Sequence, residues 1–171
     1  MRRVLALLVI SALVACARVE QPALGPPPVP PRPVPVDFVL VDKSDRTLTL
    51  YGQGQPLRTY QGLQFGDAPL GHKQFEGDER TPEGLYRIDY RNPESRYHLS
   101  LHISYPDVRD RAFAEGWGRS PGGDIFIHGQ PNGYFGRVKG DWTDGCIALS
   151  NEEIEELWRY IPDGTPIEIR P

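Results

Sequence analysis

Cysteine is nearly absent: Cys16 and Cys146 are the only two in 171 residues. A disulfide framework is therefore excluded, and each thiol needs its own explanation. There is no surplus of positive charge either, since 19 lysines and arginines stand against 23 acids for a formal net charge of −4. Arg2 and Arg3 are the only charged residues among the first fifteen, so the rest of the chain is two charges more negative still. Such a balance argues against a nucleic-acid partner, which calls for a basic face. No apolar run is long enough to span a bilayer: the longest, residues 4–14, falls short of the roughly 17–25 residues a hydrocarbon core requires. No internal repeat is evident. With 39% hydrophobic and 25% charged residues, a chain of this length has room for one core, which excludes two-domain mechanisms.

What is present begins with an export signal. Arg2 and Arg3 lead into the short apolar run, and Ala15 is the small residue that suits cleavage, so residues 1–15 read as a signal peptide. Leu13-Val14-Ala15-Cys16 resembles the lipobox of bacterial lipoproteins, which implies that Cys16 carries lipid and becomes the first residue of the mature chain. An ordinary cleaved signal followed by a coincidental cysteine is the simpler alternative. Acyl chains contribute about 0.8 kcal/mol per buried methylene, enough to hold a protein on a membrane without a spanning helix. Ala17 stands where aspartate marks inner-membrane retention in enteric bacteria, so the resemblance implies a periplasmic lipoprotein, with the outer membrane favoured over the inner. Residues 22–35 read PALGPPPVPPRPVP. Their prolines fix φ and remove amide donors, which favours extended polyproline II and a semi-rigid spacer of roughly 40 Å. Residues 16–35 are thus a tether, with docking to a partner as a weaker alternative, and residues 36–171 the folded unit.

Strand signals dominate that unit. Residues 38–41 and 47–51 flank Lys43-Ser44-Asp45-Arg46 as a hairpin, and further strands are expected at 58–65, 85–90, 97–104, 124–128, 146–149 and 166–169. In 97–104 the period of two puts Leu99, Leu101 and Ile103 on one face and His98, Ser100 and His102 on the other. One helix is well signalled: Ser150 and Glu153 form a capping box, and Ile154, Leu157, Trp158 and Ile161 make one apolar stripe that Pro162 ends. Residues 107–115 are a weaker helix candidate, stopped by Gly116. The expected fold class is mainly β with one or two covering helices.

Two residues stand out chemically. Cys146 follows Gly145 and precedes an apolar run, at a loop-to-strand junction. A cysteine nucleophile acts as a thiolate and needs a basic neighbour. His128 ends the run Ile125-Phe126-Ile127 and is followed at once by Gly129; if its strand neighbours the one after Cys146, the two side chains meet at one sheet edge. By spacing alone, an inert buried thiol and a satisfied polar histidine are the commoner accounts.

His128, followed by Thr143-Asp144-Gly145-Cys146-Ile147 with Asn151 nearby, resembles the signature of the L,D-transpeptidase (YkuD-type) catalytic domain. Thr81-Pro82-Glu83-Gly84-Leu85-Tyr86 resembles that family's Thr-Pro-x-Gly stretch, and the elements occur in the family's order. The resemblance implies a β-sandwich-like fold and a peptidoglycan stem peptide as substrate. Cys146 would be the nucleophile, His128 the base, and the Gly129 carbonyl the group that orients the imidazole. Backbone amides around Gly145 and Cys146 would form the oxyanion hole. The implied reaction is attack on the L-centre carbonyl of the third stem residue, with D-alanine leaving and the thioester passing to an amine. Transfer to water, giving a carboxypeptidase or endopeptidase, is the alternative within the family. Many members carry histidine just before Gly-Cys, where this chain has Asp144, so that side chain's role is not carried over.

Other candidates have plainer readings beside them. Tyr134, Phe135 and Trp142 could line the substrate cleft or pack beneath a loop. His102 could face the groove or the surface. Asp144 could orient His128 or Thr143, or serve as a turn residue. No cofactor is expected, and a monomer is. A zinc site from Cys146, His128 and an aspartate lacks the close ligand pair that would preorganise it. A non-catalytic wall-binding lipoprotein is the remaining rival, although such a relative would be expected to lose the cysteine or its histidine.

Overall fold

Alternating side chains build the architecture, seen in a computed structural model that describes residues 34–171. The expected signal peptide, Cys16 and most of the proline-rich spacer lie outside the described residues. Eight strands follow in order: β1 (Phe38–Asp42), β2 (Thr47–Gly52), β3 (Gln55–Gln61), β4 (Gly84–Asn92), β5 (Ser100–Ile103), β6 (Ile125–His128), β7 (Ile147–Ala148) and β8 (Thr165–Arg170). They form one sheet in the order β3-β2-β1-β8-β4-β5-β6-β7. Val39 sits opposite Leu50 and Ile167, and Val41 opposite Leu48 and Ile169. The same face continues through Tyr86, Ile88 and Ile103 to Leu101, Ile127 and Ile147. All these side chains are buried, and each contributes roughly 1.5–3 kcal/mol by leaving water.

Two helices accompany the sheet, α1 (Val108–Gly116) and α2 (Asn151–Tyr160). The capping box of α2 is formed: Ser150 Oγ accepts from Glu153 N at 3.2 Å, and Glu153 Oε2 accepts from Ser150 N at 2.9 Å. Ile154, Leu157 and Ile161 are fully buried, and the helix packs on β5 and β6. Its last carbonyls are satisfied by Arg91, whose guanidinium donates to Trp158 O at 2.9 Å and to Ile161 O. The helix expected at 107–115 forms as α1, with Asp107 as its cap.

Four expected strands come out shorter, 58–65, 97–104, 124–128 and 146–149, and the first two differences shape the site. The run 58–65 breaks after Gln61, and the chain crosses to the far end of the sheet. There Gln64 N donates to Ala148 O at 3.0 Å, and Ala148 N donates to Gln64 O at 2.8 Å. The chain leaving one terminal strand thus pairs with the other, which is how the sheet curls. The run 97–104 keeps only Ser100–Ile103, because His98 adopts φ +66° and turns the preceding residues off the ladder.

Candidate active site

Strand alternation explains why Cys146 and His128 share a face. Strands β6 and β7 run parallel, with Ile127 opposite Ile147 and His128 opposite Ala148. Ile125, Ile127 and Ile147 point into the core, so Phe126, His128 and Cys146 turn the other way. The Cys146 sulfur accepts a hydrogen bond from Phe126 N at 3.3 Å. Both Cys146 and His128 line an open cleft of about 540 Å³, shared with Tyr97, Trp142, Thr143 and Asp144.

The turn before Cys146 is held from behind. Gly145 has φ +113°, and a Cβ there would come within 2.4 Å of Arg80 O, so only glycine fits. Its carbonyl accepts a buried hydrogen bond from Thr81 Oγ1 at 2.9 Å. Because a trans peptide points its C=O and N–H in opposite directions, that bond aims the Cys146 N–H away from Thr81. The Cys146 amide meets no acceptor among the described residues, whereas Gly145 N lies 3.3 Å from Thr143 Oγ1. The Thr143 hydroxyl itself donates to Cys146 O at 2.8 Å.

His128 is 2% exposed. Its Nδ1 lies 2.7 Å from Gly129 O; a carbonyl only accepts, so Nδ1 carries the proton and Nε2 keeps its lone pair. Tyr97 stacks on the imidazole at 4.5 Å between centroids, and Trp142 meets it edge-on at 5.5 Å. This burial pulls the imidazole down to about 4, against the opposing pull of the Gly129 hydrogen bond. Burial likewise pushes the Cys146 thiol up to about 11; the Phe126 amide opposes this, while the Asp144 charge adds to it. At neutral pH the resting pair is a thiol and a neutral imidazole, not a preformed ion pair.

The loop between the two residues is pinned by side chains that the sequence did not single out. Gln130 donates from Nε2 to Leu149 O at 2.6 Å and to Gln64 Oε1 at 3.1 Å. Gln64 donates in turn to Val138 O and Gly140 O. Arg46 grips Asp141 through two bonds of 2.7 Å. Asn151, noted near the motif, accepts from Gln130 N at 2.8 Å and so places the turn after Gly129.

Of the residues expected at the groove, Trp142, Thr143 and Asp144 line it, and Asp144 is exposed. His102 and Tyr134 lie outside it. The His102 ring stacks on Tyr90 and is held by Asp89 at 2.6 Å, behind Phe126. Tyr134 is 48% exposed on the loop surface, and Phe135 is almost wholly exposed. Tyr97 is the main site residue that the sequence pattern hides, because alternation makes it the start of a regular strand and the break at His98 leaves no local signal.

The sequence has a counterpart among known families: the model of the L,D-transpeptidase catalytic domain matches residues 37–169. The chain belongs to this family. Every cleft residue of this L,D-transpeptidase domain named above lies within the matched span. YafK of Escherichia coli strain K12, provisionally assigned as an L,D-transpeptidase, is 30% identical over 131 residues, covering 72% of this chain and 46% of its own length. The helical cell shape determining protein Pgp2 of Campylobacter jejuni is 29% identical with a TM-score of 0.63, over 78% of this chain and 47% of that one. An L,D-transpeptidase of Mycobacterium smegmatis shares the fold, with a TM-score of 0.51 at 16% identity over 78% of this chain and 58% of that one. The chain spans less than half the length of YafK and of Pgp2.

Proposed function

We propose that this domain is a peptidoglycan L,D-transpeptidase in which Cys146 attacks the carbonyl of the third stem-peptide residue. The observation that carries this reading is that a thiol and an imidazole whose Nδ1 proton is committed to Gly129 O line the same cleft. As Sγ bonds to the carbonyl carbon, its proton passes to His128 Nε2. The carbonyl oxygen becomes an oxyanion facing the Cys146 N–H, and such a donor is worth on the order of 2.7–4 kcal/mol in comparable sites. Collapse breaks the bond to the fourth residue, whose nitrogen takes the proton back from His128 and leaves as an amine. The thioester is then attacked by an acceptor amine, which yields its proton to His128 and releases the thiol.

Neutrality of the resting pair fits this sequence: a base must be unprotonated to act, and burial keeps His128 so. The same reading places the domain in the periplasm, tethered through lipid on Cys16 and lifted off the membrane by the proline-rich segment. Incubation with tetrapeptide muropeptides tests the activity. Crosslinked dimers are the expected product, absent in Cys146→Ala; tripeptide monomers alone would identify water as the acceptor and overturn the transferase reading. Intact-mass spectrometry with a carbapenem is a second check, since an attackable lactam carbonyl should leave a stable adduct on Cys146.

A further inference from the structure

The charges on the cleft wall are lopsided. Glu94, Asp124 and Asp144 are acids, and Arg96 is the one cation beside them. An acidic cleft repels a peptide that carries carboxylates, and stem peptides carry several. Yet Arg96 is not used up within the fold: its guanidinium lies 6.0 Å from the Tyr97 ring centroid, and it meets no carboxylate among the described residues.

Its backbone, by contrast, is fixed. Asn132, in the loop that follows His128, donates from its amide to Arg96 O at 3.0 Å and from Nδ2 to Ser95 O at 2.9 Å, and its Oδ1 accepts from His98 N at 2.9 Å. Gly129 N adds a bond to Tyr97 O at 3.0 Å. The segment that stacks Tyr97 on His128 therefore also carries Arg96 to the cleft. A planar guanidinium with its donors free is suited to a carboxylate, which it can grip through two parallel bonds.

Resting on the reading of the cleft as a stem-peptide site, we infer that Arg96 is a specificity-determining residue that holds a carboxylate of the acyl-donor peptide. That carboxylate belongs either to a side chain of the stem or to its C-terminus; the chemistry is shared, and the test separates the sources. Arg96 orients the peptide, while the thiol and imidazole do the chemistry.

The experiment is calorimetric binding of tetrapeptide to full-length Cys146→Ala, with and without Arg96→Gln, using the unmodified peptide and a set in which each carboxylate in turn is the amide. Arg96→Gln is expected to weaken binding of the unmodified peptide about tenfold, with Arg96→Lys intermediate. One amidated peptide should bind the parent as weakly as the unmodified peptide binds Arg96→Gln, and should lose nothing further on that substitution. That peptide names the recognised group. Unchanged binding by Arg96→Gln, or an equal loss with every peptide, overturns the inference. Because binding needs no turnover, Arg96-dependent binding without thioester formation by the native chain would sink the proposed reaction alone, whereas thioester formation indifferent to Arg96 would sink this inference alone.

Discussion

The Thr81 hydroxyl donates to the Gly145 carbonyl at 2.9 Å, and in doing so it sets the direction of the next amide, that of the nucleophile. Thr81 does not itself line the cleft. It is itself anchored, since its carbonyl lies 3.4 Å from the buried Lys43 Nζ, which also holds Glu83 at 2.7 Å. The Thr-Pro-Glu-Gly stretch is thus a brace behind the nucleophile's turn.

Removing that brace while keeping its shape should cost turnover. Thr81→Val is expected to lower kcat on the order of 10²-fold, the scale seen when reacting groups are misplaced by about an ångström. Thr81→Ser should restore most of it. Carbapenem acylation, which develops an oxyanion, should slow by a similar factor, whereas alkylation by iodoacetamide, which develops none, should not. Equal slowing of both would show only general damage to the fold.

The titration of the pair gives the pH dependence. His128 must be neutral to accept the thiol proton, and its value of about 4 keeps it so in mildly acidic solution. The acylation rate should therefore rise as pH increases through about 4 and then hold level through neutrality. Direct alkylation follows the thiolate, so with a thiol near 11 it should be slow at neutral pH and climb about tenfold per pH unit above it. An alkylation plateau below pH 7 would reveal a preformed thiolate and contradict the neutral pair.

Stability should depend on the core beneath the site. Ile127 is fully buried, opposite Leu101 on one side and Ile147 on the other. Ile127→Ala is expected to cost about 2–5 kcal/mol in denaturant unfolding. Since Ile127 joins the strand bearing His128 to the one that begins just after Cys146, the acylation rate should fall as well, under conditions where the variant remains folded.

Tethering is tested outside the folded unit. Cys16→Ser in the full chain should abolish incorporation of labelled fatty acid and shift the protein from the membrane fraction to the soluble fraction of expressing cells. Unchanged lipid labelling would place the attachment elsewhere.

Much of the fold could be read from residue order because it rests on local rules. The alternation in Phe38–Asp42 and Thr47–Gly52 and the Ser150/Glu153 box are local signals, and each element forms where those signals place it. The misreadings arise where a distant contact overrides the local pattern. Gln64 looks like the last part of a strand, but the chain leaves β3 after Gln61 and Gln64 pairs with Ala148. Tyr97 looks like the first residue of another, but the left-handed turn at His98 and the Gly129 amide pull it beneath the imidazole. His102 keeps the face that alternation assigns it, but Tyr90 and Phe126 enclose that face, so it does not reach the cleft. The Cys–His pair was visible as a spacing, whereas its electrostatic state depends on aromatic walls contributed by separate loops.

The crossing of residues 63–65 also changes what can happen beside the nucleophile. A terminal strand normally offers a vacant row of amides and carbonyls, an invitation to any extended polypeptide to zip on. At Ala148 that row is already taken on both flanks, by Gln64 and by His128. An extended polypeptide that reached the sheet at Ala148 would find no vacant backbone partner at that residue.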